Sequence, residues 1–530
     1  MKIKSLWISK YKNIENLTVN FKANSLISLL VGQNGLGKSN LIEVLALIFR
    51  DLDLLDNQDD FENWAYELNH FEYDIHYLCK NHEVRIECKE STFKVWIKKL
   101  SSINELQELP FSDFKKLKSE NLLPKYIIGY YSGENKRIKE IIEPFEKKVW
   151  DDLKGNKGLD KNFRRLFFAD NHHAQMVLLT LLLYRGQDKS KKFQERIKEL
   201  IENYTSFEKL YEFDLKLQQP KWYKLGDSVH KKHGVLQLEE NLIGKQKAQY
   251  PFWGAKGKAN KILRFFYDYS FSPPTYGVTD AEDSKTEKEF LEFNSINKED
   301  AALKIYEEFG HPISFFDAFE TLSLIDVISS INLKVESKIE GISYDFTELS
   351  EGERQLITVL GLILITGQDD CLFLLDEPDT HLNPRWQREY VRLLEQFNLN
   401  DDNSHIIVAT HSPLIVQAAE NADIFLYKKY ESGKIEVVSD DLKIHNWRID
   451  QVLASEYFDF DSTRPPEIDD LMKKRLEIIR KGNLNEEDKK LLKSYENEIG
   501  YLPTGETIDE LEAMAFIKQT ADSLKNDKNR

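Results

Sequence analysis

Eight residues, Gly32-Gln33-Asn34-Gly35-Leu36-Gly37-Lys38-Ser39, constrain this chain more than any other stretch. They follow an apolar run, Ser28-Leu29-Leu30-Val31, and open an apolar-periodic segment, Leu41-Ile42-Glu43-Val44-Leu45-Ala46-Leu47-Ile48. That order predicts a strand, a glycine loop and a helix, the context in which G-x-x-x-x-G-K-[ST] works as a phosphate cradle. Glycines let successive backbone N–H groups curl around phosphate oxygens, and the helix N-terminus adds partial positive charge. Lys38 then reaches the β- and γ-phosphates, and the Ser39 hydroxyl ligates Mg2+. Asn34, Gly35, Gly37 and Asn40 complete the expected nucleotide contacts. The reading is a nucleoside triphosphate site.

Length and composition bound the rest. A chain of 530 residues has room for two to four domains, and 41% hydrophobic residues suffice for a sizeable core. No run of eighteen apolar residues occurs, so no membrane span is expected. Met1-Lys2-Ile3-Lys4 leads directly into an alternating pattern, with no apolar leader. Cys79, Cys88 and Cys371 stand alone without metal-ligand spacing, which fits a reducing cytoplasm. A net charge of −17 argues against a uniform nucleic-acid coat, so any such contact must be a local patch.

Along the chain, Lys2 to Ser9 and Leu17 to Phe21 read as strands around a polar turn, Lys12-Asn13-Ile14-Glu15-Asn16. Period-two runs at Tyr73/Ile75/Tyr77, Val84/Ile86/Cys88 and Phe93/Val95/Ile97 predict an antiparallel meander. Tyr126 to Tyr131 reads as a buried strand. From about Asn162 to Tyr204, and again from about Ala302 to Val335, the pattern is helical, so 151–335 is expected to be a mostly helical insertion. After about Asp441, Leu471 to Lys481 and Glu486 to Ile499 read as a helix pair, with Asn485 as N-cap of the second. The acidic loop around Glu456, Asp459 and Asp461 reads as a solvated turn rather than a metal site.

A second half-site lies far downstream. Cys371-Leu372-Phe373-Leu374-Leu375 is an apolar strand ending in Asp376 and Glu377. One carboxylate there can order Mg2+ while the next polarises the attacking water. Ile406 to Thr410 forms another apolar strand, ending in His411, which can touch the γ-phosphate. Between the phosphate loop and Asp376, Leu349-Ser350-Glu351-Gly352-Glu353-Arg354-Gln355 opens a helix, with Ser350 and Glu353 spaced as a capping box. Beyond the cap, a free helix N-terminus at this place could hold a γ-phosphate.

Gly32 to Ser39, Leu349 to Gln355, Leu375-Asp376-Glu377-Pro378, Asp379 to Pro384 and Thr410-His411 occur in the order of ABC-type ATPases, which the chain resembles. It is similar above all to the DNA-associated SMC-like, RecF-like and OLD-like branch. Asp-Glu-Pro-Asp-Thr-His-Leu-Asn-Pro resembles the ATPases of bacterial restriction-associated and anti-phage systems such as the Septu type. The fold implied is α/β: a P-loop NTPase with an ABC-type ATPase head of mixed sheet plus antiparallel β-subdomain. A largely helical insertion splits that head, and a helical tail follows. Its parts would be an N-terminal lobe (1–150), the insertion (151–335), a C-terminal lobe (336–440) and the tail (441–530).

The resemblance also implies a mechanism needing two chains. Two heads sandwich two ATP molecules, so Ser350 and Gly352 would act on the γ-phosphate held by Lys38 and Ser39 of a second copy. Asp376 would assist Ser39 with Mg2+, Glu377 would be the general base and His411 the γ-phosphate switch. Asn383 would lie in the loop that crosses the dimer interface. Glu351 and Glu353 depart from the commoner Gly and Gln of the signature. Ser132-Gly133-Glu134-Asn135 occupies the glutamine-loop position without a glutamine, leaving Asn135 as the candidate there.

Outside the motifs, 220–264 carries Lys221, Lys224, Lys231, Lys232, Lys245, Lys247, Lys256, Lys258, Lys261 and Arg264 among Trp222, Tyr223, Tyr250, Phe252 and Trp253. That mixture suits phosphate contact with stacking on unpaired bases; the alternative is a solvated loop whose aromatics anchor it. No nuclease motif follows, so a nuclease effector would be a separate protein. Three functions stay open: the regulatory ATPase of an anti-phage or restriction-associated system, a RecF-like or SMC-like ATPase of recombination and repair, and a transporter's nucleotide-binding subunit.

Overall fold

The computed structural model describes residues 1–55, 71–132, 140–143, 165–220, 252–458 and parts of 470–499, with short breaks inside these ranges. It comprises two compact units, Met1–Ile449 and Asp450–Arg530.

The first unit is organised by a seven-stranded sheet in the order β18-β17-β3-β16-β15-β8-β9. Its members are β3 (Ile27–Val31), β8 (Tyr126–Tyr131), β9 (Leu166–Ala169), β15 (Cys371–Asp376), β16 (Ser404–Ala409), β17 (Asp423–Lys429) and β18 (Ile435–Asp440). All neighbours pair in parallel except the β17–β18 edge. Every residue of β3, β15 and β16 is buried, as expected where helices or a second sheet cover both faces.

A six-stranded antiparallel sheet holds β1 (Lys2–Tyr11), β2 (Ile14–Asn20), β4 (Tyr73–Cys79), β5 (His82–Lys89), β6 (Thr92–Lys99) and β7 (Gln107–Glu108), in the order β2-β1-β4-β5-β6-β7. The expected antiparallel meander is there, and β4 and β5 join through Lys80 and Asn81, both at positive φ (45° and 64°). Two such residues give the twist that a tight hairpin needs. Helix α1 (Lys38–Leu54) shares one hydrophobic core with this sheet and with the main sheet's Leu30, Leu372, Leu374 and Ile407. Its burial on nearly all sides explains why Leu, Ile, Val and Phe occur around most of its circumference.

The stretch expected to be mostly helical carries a sheet as well. Helices α3 (Asn171–Tyr184), α4 (Lys191–Tyr204), α5 (Gly257–Asp268), α6 (Lys298–Phe309) and α7 (Pro312–Leu324) follow α2 (Phe111–Leu117). Among them run β10 (Phe207–Gln218), β11 (Thr275–Asp280), β12 (Glu287–Phe293) and β13 (Ile328–Ser337), which with β14 (Ser343–Asp345) form the antiparallel order β11-β12-β10-β13-β14. The alternation of Phe213, Leu215 and Leu217 against Ile331, Leu333 and Val335 drives this pairing, because one face of each strand is buried. Leu166-Phe167-Phe168-Ala169 is likewise not helical: four apolar residues are too few to show a period, and they add β9 to the main sheet.

β13 and β14 lead through Phe346–Glu348 into α8 (Glu351–Thr366), followed by α9 (Pro384–Phe397) and α10 (Pro413–Gln417). A phosphate loop after β3, an acidic end to β15 one strand beyond β16 and an attached antiparallel sheet make this an α/β P-loop ATPase fold of ABC type. In the second unit, helix Glu486–Ile499 begins where Asn485 Oδ1 accepts the Asp488 N–H at 2.7 Å. Most of its expected partner, from Leu471, and the loop at Asp459 and Asp461 lie outside the described residues. Among the described residues no helix is long and apolar enough to cross a membrane. The three cysteines are free and buried.

Candidate functional site

The loop from β3 to α1 takes its shape from glycines. Gly32, Gly35 and Gly37 have φ of 147°, 81° and 97°. A Cβ at Gly37 would lie 2.9 Å from Asn13 Oδ1, and one at Gly32 would lie 2.9 Å from the Tyr427 carbonyl oxygen. Side chains are therefore barred on both conformational and steric grounds. Gly37 is also the N-cap of α1 and supplies no side-chain cap, so no side chain caps the first-turn N–H groups of that helix. Asn34 and Gly35 are exposed at the loop's rim.

Lys38 is buried, and its Nζ donates to the carbonyls of Gly32 at 2.6 Å and Gln33 at 3.0 Å. Burial lowers its pKa, while Glu377 and Asp376 oppose the shift. Ser39 Oγ donates to Asp376 Oδ1 at 3.0 Å, joining residues 337 positions apart. Burial pushes the Asp376 carboxyl up to about 6 despite that bond. Such a carboxylate gains from a nearby cation, and two hard oxygen donors fit Mg2+ completed by phosphate oxygens and water. Among the described residues no group of three or more His, Cys, Asp or Glu side chains is arranged to hold a metal by itself.

Glu377 follows at the end of β15 with φ of 48°, an uncommon conformation for a residue with a side chain. Its N–H donates to the Ala409 carbonyl at 2.9 Å and its carbonyl accepts from Ser132 Oγ at 2.6 Å, which hold the turn. His411 Nδ1 lies 3.2 Å from Glu377 Oε1. The His411 bond holds the Glu377 carboxyl below its ordinary range, and the Glu377 bond raises the imidazole in return. Asp379 backs this end of the site, accepting from Thr410 Oγ1 at 3.0 Å.

The structure thus gathers Lys38, Ser39, Asp376, Glu377 and His411 into one cluster beside the loop. Asn40 is placed differently from the rim: its amide donates to Asn13 Oδ1, and the Asn13 amide donates to the Gly35 carbonyl. Asn13, which looks from the sequence like an ordinary turn residue, is therefore the strut of the phosphate loop. Nothing in its local pattern points to this role.

Ser350 and Gly352 form a second group. Ser350 Oγ accepts the Glu353 N–H at 3.3 Å, and Glu353 Oε2 accepts from the Ser350 N–H at 3.0 Å and from its hydroxyl at 2.7 Å. The capping box forms as the spacing requires. The Ser350 hydroxyl thus caps one first-turn N–H of the helix, that of Glu353. A Cβ on Gly352 would lie 2.8 Å from the His381 carbonyl oxygen. His381 Nδ1 lies 2.9 Å from Glu351 Oε2, and the Gln355 amide donates to the Pro378 carbonyl. Asn383 caps α9 by accepting the Trp386 N–H at 3.0 Å. The turn from Glu377 to Asn383 thus connects the carboxylate cluster to the start of α8.

The basic aromatic segment is described only in part. Phe252 and Trp253 are buried, so these two anchor the segment and offer no stacking face. Lys258 pairs with Asp317, Lys261 donates to the Glu308 carbonyl and Arg264 to Asn260 Oδ1. Residues 221–251 and Lys256 lie outside the described residues, as do Gly133, Glu134 and Asn135.

Known proteins place this geometry in a family. The chain is 23% identical over 205 residues to the Septu protein PtuA of Bacillus mycoides (strain KBAB4), covering 36% of this chain and 28% of that protein. It is 27% identical over 136 residues to the Retron Ec83 probable ATPase of Escherichia coli, covering 23% of each. The matched part is thus under a third of the length of these curated relatives. Among solved structures, the SMC head domain from Thermotoga maritima is 11% identical at a TM-score of 0.31, over 83% of this chain and 100% of that one. The Smc head domain with an extended coiled coil, bound to the C-terminal domain of ScpA from Pyrococcus furiosus, is 13% identical at 0.31, over 83% of this chain and 96% of that one. The AAA ATPase domain model matches residues 1–416, well over half of the chain, and the chain belongs to that family.

Proposed function

We propose that this ATPase-family chain is a Mg2+-dependent, ATP-hydrolysing switch that works as a pair of heads and regulates a separate nuclease in a cytoplasmic anti-phage system. The observation that carries the hydrolytic part is the bond from Ser39 Oγ to Asp376 Oδ1 at 3.0 Å, which brings the phosphate loop against the acidic strand end. Mg2+, when held by Ser39 and Asp376, supplies positive charge to the triphosphate. Lys38 exchanges the Gly32 and Gln33 carbonyls for phosphate oxygens, and the uncapped start of α1 accommodates the remaining negative charge. Glu377, kept ionised by His411, takes the proton of the attacking water. His411, its imidazole raised by the same bond, faces the γ-phosphate as a donor.

Exposed Ser350, close-packed Gly352 and the His381–Glu351 pair support action on the nucleotide of a second copy. Similarity to PtuA and to the retron ATPase supports the defence role. Glu377→Gln tests the chemistry: ATP turnover falls by about 10²–10⁴-fold, the usual contribution of a general base, with nucleotide binding retained. Intact turnover would remove Glu377 from the mechanism. Purification with the products of neighbouring genes tests the role: a nuclease partner supports it, while recovery with DNA alone favours a repair ATPase.

A further inference from the structure

A cavity of about 380 Å³ lies away from the phosphate loop, lined by Lys125, Tyr126, Lys258, Lys261, Ser314 and Asp317. That volume suits a small ligand. The lining comes from three places in the fold: Lys125 just before β8, Lys258 and Lys261 from the first turns of α5, and Ser314 and Asp317 from those of α7. Three lysines and one carboxylate therefore line the cavity.

Among the described residues, each ammonium gives one of its three N–H groups to a protein hydrogen bond. Lys125 Nζ donates to Asp369 Oδ2 at 2.7 Å, Lys258 to Asp317 Oδ2 and Lys261 to the Glu308 carbonyl. The remaining surroundings are partly apolar: Lys261 Nζ lies 5.0 Å from the Phe309 ring centre and Lys125 Nζ 5.2 Å from that of Tyr126, with Ile313 and Ala318 completing the wall. Three lysines and a single carboxylate, Asp317, line the cavity, with Asp369 paired to Lys125 and Glu320 acting on Asp317 from the same helix. An anionic phosphate group would use the spare ammonium donors.

The cavity is separate from the nucleotide site. Tyr126 pairs with Cys371 at the start of β15, whereas Asp376 pairs with Tyr131 at its end. Five steps at about 3.3 Å per residue put the two roughly 16 Å apart, at opposite ends of the strands.

We propose that this cavity is a second anion site, which binds a small phosphate-bearing molecule of up to mononucleotide size through Lys125, Lys258 and Lys261. Lys125 sits at the head of the strand beside β15, so an occupied cavity contacts the sheet that carries the acidic cluster without touching the phosphate loop.

The test uses full-length protein whose phosphate loop is saturated with a non-hydrolysable ATP analogue, titrated calorimetrically with inorganic phosphate and, separately, with AMP. The expected result is one saturable event per chain with at least one of these probes, weakened by rising salt. Lys261→Gln lowers that affinity about tenfold, the weight of one charge-assisted hydrogen bond, and the Lys258→Gln/Lys261→Gln pair lowers it further. AMP binding more tightly than phosphate identifies a nucleotide as occupant; the reverse identifies a site for phosphate itself. Should the double variant fail to fold, Lys261→Gln and the salt dependence decide alone. Binding of neither probe, binding that survives Lys261→Gln undiminished, or binding abolished by filling the phosphate loop overturns the proposal.

Discussion

Gly352→Ala isolates the contact between the start of α8 and the turn that follows the carboxylates. The added Cβ would lie 2.8 Å from the His381 carbonyl oxygen and 3.3 Å from a Trp386 ring atom. The oxygen belongs to the backbone, so the turn itself must move. Helix propensity favours alanine by up to about 1 kcal/mol, and overpacking a tight site costs about 1–3 kcal/mol. The net loss is roughly 1 kcal/mol, a shift of a few tenths molar in a urea midpoint at ordinary m-values. Function should respond more strongly, because the displaced turn carries the His381–Glu351 pair at 2.9 Å and the Gln355–Pro378 bond. If α8 acts on a second copy's nucleotide, turnover falls about tenfold, equivalent to ~1.4 kcal/mol of activation free energy. Affinity for a fluorescent ATP analogue stays unchanged, because Lys38 and Ser39 belong to the other cluster. Glu351→Gln, which weakens the pair without crowding it, should give a smaller effect of the same sign. Turnover within twofold of wild type would refute this account of the close approach. Equal losses of affinity and turnover would instead place the turn's action on its own chain's loop.

Two further changes probe the strut and the insertion. Asn13→Ala removes the link between the Gly35 carbonyl and Asn40, costing about 1–2 kcal/mol in loop order and lowering nucleotide affinity about tenfold, measurable by equilibrium titration; unchanged affinity would make the strut irrelevant. Buried His173 lies 2.8 Å from Asp170 and 3.9 Å from Glu320. Burial pulls its imidazole down, but the two carboxylates outweigh it and raise the pKa from 6.5 to about 9. The stabilisation from these two carboxylates is therefore complete below about pH 6.5 and lost as pH rises through about 9, on the order of 3 kcal/mol. Urea midpoints should fall across that window in the wild type and stay flat in His173→Gln; a flat wild-type profile would refute the pairing.

What the sequence shows and what it hides divide along physical lines. The glycine loop, the capping box and the alternating meander are specified by residues within a few positions of one another, and these features are legible. Ser39 meeting Asp376 across 337 positions, or His405 Nδ1 accepting the Ile3 N–H at 3.1 Å across 402, is decided by strand order in the main sheet. No local period records that order. β9 is hidden because four apolar residues suit helix and strand alike, and β13 because it directly follows the apolar stripe of α7. Trp253 misleads in another way: its lysine-rich neighbours suggest a binding face, whereas the ring is 2% exposed. Composition reports what a segment contains, and packing determines which side chains it presents.

The two helix starts at the candidate site show how one physical requirement can be met in two functionally different ways. Both α1 and α8 leave first-turn N–H groups needing acceptors. α1 begins at a glycine with no side chain to offer, which leaves its first turn suited to an anion from outside the chain. α8 begins at Ser350, whose hydroxyl caps the Glu353 N–H, and the Glu353 carboxylate also accepts the Ser206 N–H at 2.6 Å. For Ser350 to donate to a phosphate, its hydroxyl must release Glu353 Oε2. Glu353 then still accepts the backbone N–H groups of Ser350 and Ser206, so no buried charge is stranded. The exchange trades one charge-assisted hydrogen bond for another of similar strength, close to zero net cost. A contact that is nearly neutral to make is equally easy to break. Under the proposed head pair, a cap that exchanges its partner at little cost would let the two copies open again after hydrolysis.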